Sequence, residues 1–196
     1  MTFALDIPRY IALCGNPGSG KSTVQEILRA NYGVEPVDDG FALRKIAVEQ
    51  FGLTWDQVMT QEGKRETVTV AGKAWIVRDL LGQLGNRIED LLGPHGIPFL
   101  SERQVADKPG CFSFGSVRRD QGRFYQDRGG VVIGVRSPKA GPSEFEFDRF
   151  DEACVDLWID NDGEDLRRLE WSVWTAIKEL EARRRVFVTQ ITERAA

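Results

Sequence analysis

The chain has 196 residues, a formal net charge of −4, 41% hydrophobic and 29% charged residues. That length suits one α/β core with room for a lid or insertion, and the acidic balance speaks against a non-specific nucleic-acid binder, which carries a basic excess. No apolar run reaches membrane-spanning length, the N-terminus lacks the regions of a signal peptide, and Cys14, Cys111 and Cys154 are odd in number and far apart. The expectation is a cytoplasmic domain with buried thiols, without nucleic-acid or membrane partners.

Residues 9–14 hold the apolar run Tyr10-Ile11-Ala12-Leu13-Cys14, a first strand. Next comes Gly15-Asn16-Pro17-Gly18-Ser19-Gly20-Lys21-Ser22, which fits G-x-x-x-x-G-K-[ST] at every fixed position, and then a helical pattern over 21–31 closed by Gly33. Strand, glycine loop and helix in that order predict a phosphate-binding loop. Glycines let the backbone curl until successive N–H groups face phosphate oxygens, and the helix start adds its positive dipole end. The spacing predicts that residues 15–23, from Gly15 to Thr23, hold ATP. Lys21 would reach the β- and γ-phosphates and the Ser22 hydroxyl would ligate Mg²⁺.

Val34 to Val37 reads as a short strand weakened by Pro36, leading to Asp38-Asp39-Gly40. Phe41 to Phe51 has helical spacing and stops at Gly52; Thr54 then caps a short helix. From Glu62 to Lys73 the chain is polar with two glycines and reads as a mobile surface segment. Val77 to Leu92 is an amphipathic helix with Val77, Leu80, Leu81, Leu84, Ile88, Leu91 and Leu92 on one broad face. Residues 111–117 and 129–135 are strands around a short crossover helix. Residues 136–152 suit a lid-like loop, and 155–159 form a last strand. The final helix carries the stripe Leu166, Leu169, Val173, Trp174, Ile177 and Leu180. Alternating strands and helices imply a three-layer α/β fold, a parallel sheet covered on both faces, with the ligand beyond the carboxyl ends of the strands.

Several further segments, in order, resemble the phage-type deoxynucleoside monophosphate kinases, a branch of the P-loop nucleoside monophosphate kinases. They are Leu43-Arg44-Lys45-Ile46-Ala47 running to Phe51-Gly52-Leu53-Thr54, and the stretch from Val77-Arg78-Asp79-Leu80 to Gly85-Asn86. They continue with Ser116-Val117-Arg118-Arg119 leading to Gly129-Gly130, then Val135-Arg136-Ser137-Pro138 and Asp160-Asn161-Asp162-Gly163. With the phosphate loop they span almost the whole chain. The resemblance implies a single P-loop kinase domain over 1–196, with an acceptor-binding region at about 38–95 and a lid at about 136–152. It implies ATP- and Mg²⁺-dependent transfer to a deoxynucleoside monophosphate such as dGMP or dTMP, host cytoplasm as the compartment if phage-encoded, and a homodimer.

Phosphoryl transfer needs positioning and cations around three equatorial oxygens, and Arg offers a planar fork for a monophosphate. By resemblance, Arg44, Arg78 and Arg118 cradle the acceptor together with Asp39, while Lys21, Arg118 and Arg136 serve the transferring group. Arg123 and Arg128 are further basic candidates. Trp55, Trp75, Phe145 and Phe147 are candidates for packing or for stacking on a base. Ser116 and Gly122 stand where the family has acids, and Asn86 where it has Thr, which bears on acceptor recognition rather than ATP binding. Two alternatives stay open. One is a kinase acting on a hydroxyl, of the dephospho-coenzyme A or shikimate type, with Asp38 or Asp39 as general base; the other is a nucleotide-binding protein with little transfer.

Overall fold

All five residues of Tyr10–Cys14 (β1) are buried. A strand apolar on both faces must lie inside a sheet covered on both sides. Burial of Ile11 and Leu13 contributes about 4 kcal/mol, which offsets much of the roughly 1–2 kcal/mol per residue that ordering the backbone costs. The computed structural model describes residues 7–142 and 149–195, with side chains as far as 183. It divides into two compact units, one comprising the chain up to Val37 and from Lys108 onward, the other Asp38–Asp107.

In the first unit β1 pairs in parallel with β5 (Cys111–Phe114) on one side and β6 (Val131–Arg136) on the other. The edges are β2 (Val34–Val37) and β7 (Leu157–Asp160), giving the order β2-β5-β1-β6-β7. From β1 the chain crosses to β2 on one side, whereas β6 continues to β7 on the other. The carboxyl ends of β1 and β6 therefore flank a topological switch point, where α/β sheets place their ligands.

One face of this sheet is covered by α1 (Lys21–Tyr32) and α7 (Leu166–Ala195). Val24, Ile27 and Leu28 of α1 and Leu169, Val173, Ile177 and Leu180 of α7 pack on Ile11, Leu13, Ile133 and Ile159. Leu166 and Trp174, read as part of the α7 stripe, are exposed instead, and Trp174 stacks on Trp171 at 4.6 Å. The other face carries rings: Phe114 lies 4.4 Å from Tyr125, and Tyr10 meets both edge-on. Tyr125 belongs to α6 (Gly122–Gln126), the short crossover helix. Of the lid-like segment, residues 143–148, with Phe145 and Phe147, lie outside the described residues.

The second unit contains α2 (Phe41–Phe51), α3 (Trp55–Met59), β3 (Thr67–Val70), β4 (Lys73–Ile76), α4 (Val77–Leu92) and α5 (Gly96–Arg103). Thr54 closes a full capping box with Gln57 at the start of α3. Ala47, Leu53, Val58, Val77 and Leu80 form its core, with Val68, Val70 and Trp75 packed against it. Two sequence expectations are corrected here. The segment read as mobile over 62–73 is a 3-10 turn at Gly63–Arg65 followed by the β3–β4 hairpin. Its two-residue turn takes φ 49° at Ala71 and 78° at Gly72, the primed geometry that matches strand twist. On α4 the apolar face runs out into solvent, with Leu91 at 81% exposure.

Candidate functional site

The loop after β1 is shaped by three glycines with positive φ: Gly15 at 144°, Gly18 at 80° and Gly20 at 100°. A Cβ on Gly15 would lie 2.4 Å from the Val135 carbonyl oxygen of β6, so the loop floor closes against the neighbouring strand only with glycine there. The Ser19 N–H donates to the Asn16 carbonyl at 3.1 Å, which tightens the curl. Gly20 caps α1 without any side-chain hydrogen bond, leaving the first-turn N–H groups to water or to an anion.

Lys21 folds back over the loop, its Nζ donating to the carbonyls of Gly15 at 2.7 Å and Asn16 at 3.0 Å. The ammonium thus sits on the loop backbone it would share with phosphate. Ser22, the second residue of α1, is exposed and available to a metal ion shared with phosphate oxygens. Ser19 is buried, and its hydroxyl has no hydrogen-bond partner. Burial pushes the Cys14 thiol, just before the loop, up to about 12, against a smaller opposing pull from Lys21. Cys14 is therefore an inert filler, and the cation that the loop itself offers is Lys21.

Arg118 follows β5 on the same sheet edge. The Val117 N–H donates to the Leu13 carbonyl at 3.1 Å, which lays this segment along the end of β1. Arg118 is half-buried, and its backbone is clasped by Gln121, which accepts from the Arg118 N–H at 3.0 Å. Ser116, in the place of the family's acid, is exposed. Arg136 ends β6, with Nε donating to Asp160 at 3.1 Å and the guanidinium 4.6 Å above the Trp158 ring. Arg123 lies 3.8 Å from the Asp151 carboxylate. Arg128 braces the scaffold: it donates to the Phe124 carbonyl at 3.0 Å and stacks on the Phe124 ring, at the end of α6 that leads to the amino end of β6.

The remaining candidates belong to the second unit. Arg44 is ion-paired with Asp38 and donates through Nε to the Val58 carbonyl at 3.2 Å. Its guanidinium lies on Gly40, where a Cβ would come within 2.9 Å of it. Asp38 also accepts from the Gly40 N–H at 3.0 Å, so its carboxylate anchors the start of α2. Asp39 is buried, and its carbonyl accepts from Ser101 of α5, a helix not foreseen from the sequence. Arg78 donates to Gln61 at 2.7 Å from the first turn of α4. Trp55 stacks on Phe41, while Trp75 packs under the ammonium of Lys73.

Among solved structures, the chain is similar to TT1252 from Thermus thermophilus, at 20% identity and a TM-score of 0.52 over 89% of this chain and 99% of that one. It also matches a dephospho-CoA kinase from Campylobacter jejuni (17%, TM-score 0.47, 89% and 98%) and a shikimate kinase from Aquifex aeolicus (17%, TM-score 0.45, 87% and 96%). The likeness to TT1252 is one of fold, a three-layer α/β arrangement around a parallel five-stranded sheet. No protein-family model and no curated protein matches the chain.

Within that fold, one residue matters to the loop although sequence reasoning gave it no role there. Asn161, just after β7, donates from Nδ2 to the Ser19 carbonyl at 2.9 Å and accepts at Oδ1 from the Gly163 N–H at 3.0 Å. Its backbone N–H donates to the Arg136 carbonyl at 2.8 Å. The Asn-Asp-Gly turn was visible in the sequence; a bond to a residue 142 positions away was not.

Proposed function

We propose that the chain is an ATP- and Mg²⁺-dependent kinase that transfers a phosphoryl group to a deoxynucleoside monophosphate, giving the diphosphate. The observation that carries the reading is the phosphate loop itself. A glycine curl with Lys21 folded on its carbonyls stands at the switch point of a parallel sheet.

In this reading the amides of residues 18–22 hold the β-phosphate, and Lys21 exchanges a loop carbonyl for phosphate oxygen. Ser22 holds the metal ion, which supplies charge neutralisation between the phosphates when bound. Arg118 and Arg136, at the carboxyl ends of β5 and β6, are the cations for the transferring group, and Arg136 leaves Asp160 to act. Arg44, Arg78 and Arg118 would cradle the acceptor's phosphate, and Asp39 would position its sugar or base.

The choice of acceptor is supported by the ordered segments that resemble the deoxynucleoside monophosphate kinases and by the state of Asp38. A hydroxyl acceptor needs a base to take its proton, whereas a monophosphate oxygen is already a nucleophile. The Asp38 carboxylate is engaged by Arg44 and by the Gly40 N–H. Asp38→Asn and Asp39→Asn should each keep turnover of a deoxynucleoside monophosphate within about tenfold, well short of the roughly 10²–10⁴-fold that removing a general base costs. Loss of about 10²-fold or more with ATP binding intact would mean that a carboxylate acts as general base, which a monophosphate acceptor does not need and a hydroxyl acceptor does.

A further inference from the structure

The phosphate loop is anion-binding only while its peptide groups face the right way. In a trans peptide the C=O and the following N–H point in opposite directions, and every described peptide bond is trans. The Ser19 carbonyl points at the Asn161 amide, so the Gly20 N–H points away from it. Gly20 has no Cβ and sits at φ 100°, so the Ser19–Gly20 peptide is free of the side-chain clash that would otherwise oppose its turning over. Turned over, it would present a carbonyl oxygen where a phosphate expects a donor.

We propose that Asn161 is a positioning residue that locks this peptide in its anion-binding orientation, so that triphosphate affinity is set in part by the β7–α7 turn. The inference rests on the phosphate-loop reading above. Three features support it. Both ends of the Asn161 amide are used, Nδ2 on Ser19 and Oδ1 on Gly163, which fixes which end faces the loop. The residue is pinned from behind by its own N–H on Arg136, at the end of β6. The fit is close: a Cβ on Gly20 would lie 2.3 Å from the Asn161 Nδ2, so glycine at position 20 makes room for the amide as well as for the turn. A second strap on the loop runs from Asn16 Nδ2 to the Ala140 carbonyl at 3.4 Å. Lys139 in turn donates to the Gly163 carbonyl at 3.0 Å, closing the turn.

Two substitutions separate locking from ordinary turn formation. Asn161→Ala removes both bonds. Asn161→Asp keeps the acceptor for the Gly163 N–H, and Asp is as good as Asn in such a turn, but it sets an oxygen against the Ser19 carbonyl. Binding of magnesium pyrophosphate and of ATP is measured by titration calorimetry, with adenosine as a ligand that makes no use of the loop. Thermal melting without ligand reports on folding. Asn161→Ala should weaken pyrophosphate and ATP about tenfold, the worth of one donor to a charged group. Asn161→Asp should weaken them at least as much, with the melting temperature within a few degrees of the unaltered protein and adenosine affinity unchanged. In steady state the KM for ATP should rise while that for the acceptor stays. Pyrophosphate affinity within about twofold of the unaltered protein in either variant would overturn the inference while leaving the loop reading intact, since one such bond is worth about tenfold. An unaltered protein that binds neither pyrophosphate nor ATP would overturn the loop reading and this inference with it.

Discussion

Replacing Lys21 with Ala removes the cation that the loop folds over itself. In the structure the ammonium holds two carbonyls, at 2.7 and 3.0 Å. A phosphate charge about 4 Å away is worth about 4 kcal/mol at an effective dielectric of about 20. Reaching it means giving up one carbonyl bond, worth about 1.5–3 kcal/mol for a charged donor. The balance, about 1–3 kcal/mol, corresponds to a loss of roughly 5- to 150-fold in ATP affinity in the variant. The chemical step should suffer more, because charge builds on the oxygens Lys21 touches; loss of one such preorganised donor costs about 10²–10³ in rate. Calorimetry with ATP gives the first number and single-turnover transfer the second, with thermal melting as a control on folding. Transfer by the Lys21→Ala protein within about tenfold of the unaltered rate would refute the assignment of Lys21 to the reacting phosphates.

Two more predictions concern the scaffold. Gly63→Ala should destabilise the second unit by about 2 kcal/mol in urea unfolding, because the new Cβ would lie 2.4 Å from the Asp56 carbonyl oxygen and 2.5 Å from the Gln57 Cα, both backbone atoms that no rotamer can move; an unchanged midpoint would show that α3 yields freely. The Cys14 thiol, pushed from 9.0 to about 12 by burial, stays protonated in the folded chain while an unfolded chain would ionise. Folded-state binding of that proton means stability is full below about pH 9 and falls as pH rises towards about 12, and the raised Tyr32 acts in the same direction. Between about pH 8 and about pH 10.5 the urea midpoint should fall less in Cys14→Ala than in the unaltered chain, and an equal fall would place the alkaline sensitivity elsewhere.

What was legible in the sequence follows from how local each signal is. The phosphate loop was readable because its chemistry depends on backbone freedom, and glycine marks that freedom in the sequence itself; Gly15, Gly18 and Gly20 all take positive φ. The strands of the parallel sheet were readable because burial on both faces leaves an unbroken apolar run, as in Tyr10–Cys14. The hairpin was missed although Thr67-Val68-Thr69-Val70 alternates with period two, because the polar residues and glycines around it masked four short β-branched positions. Helix α5 was hidden by Gly96 and Pro98, both of which fall in its first turn, where neither breaks a helix. The straps on the site were beyond sequence reasoning for another reason. Asn161 on Ser19, Ser101 on Asp39 and Asp160 on Arg136 each join residues remote in the chain, and only the sheet order brings the first and third together.

Acceptor-dependent ADP release tests transfer to a deoxynucleoside monophosphate without relying on any variant. The protein is incubated with ATP and Mg²⁺ and offered in turn dAMP, dGMP, dCMP, dTMP, dephospho-coenzyme A and shikimate, with ADP followed by a coupled assay. Transfer to such a monophosphate predicts release that depends on at least one of them and yields its diphosphate. Release with none of these monophosphates, or with a hydroxyl acceptor alone, would contradict it.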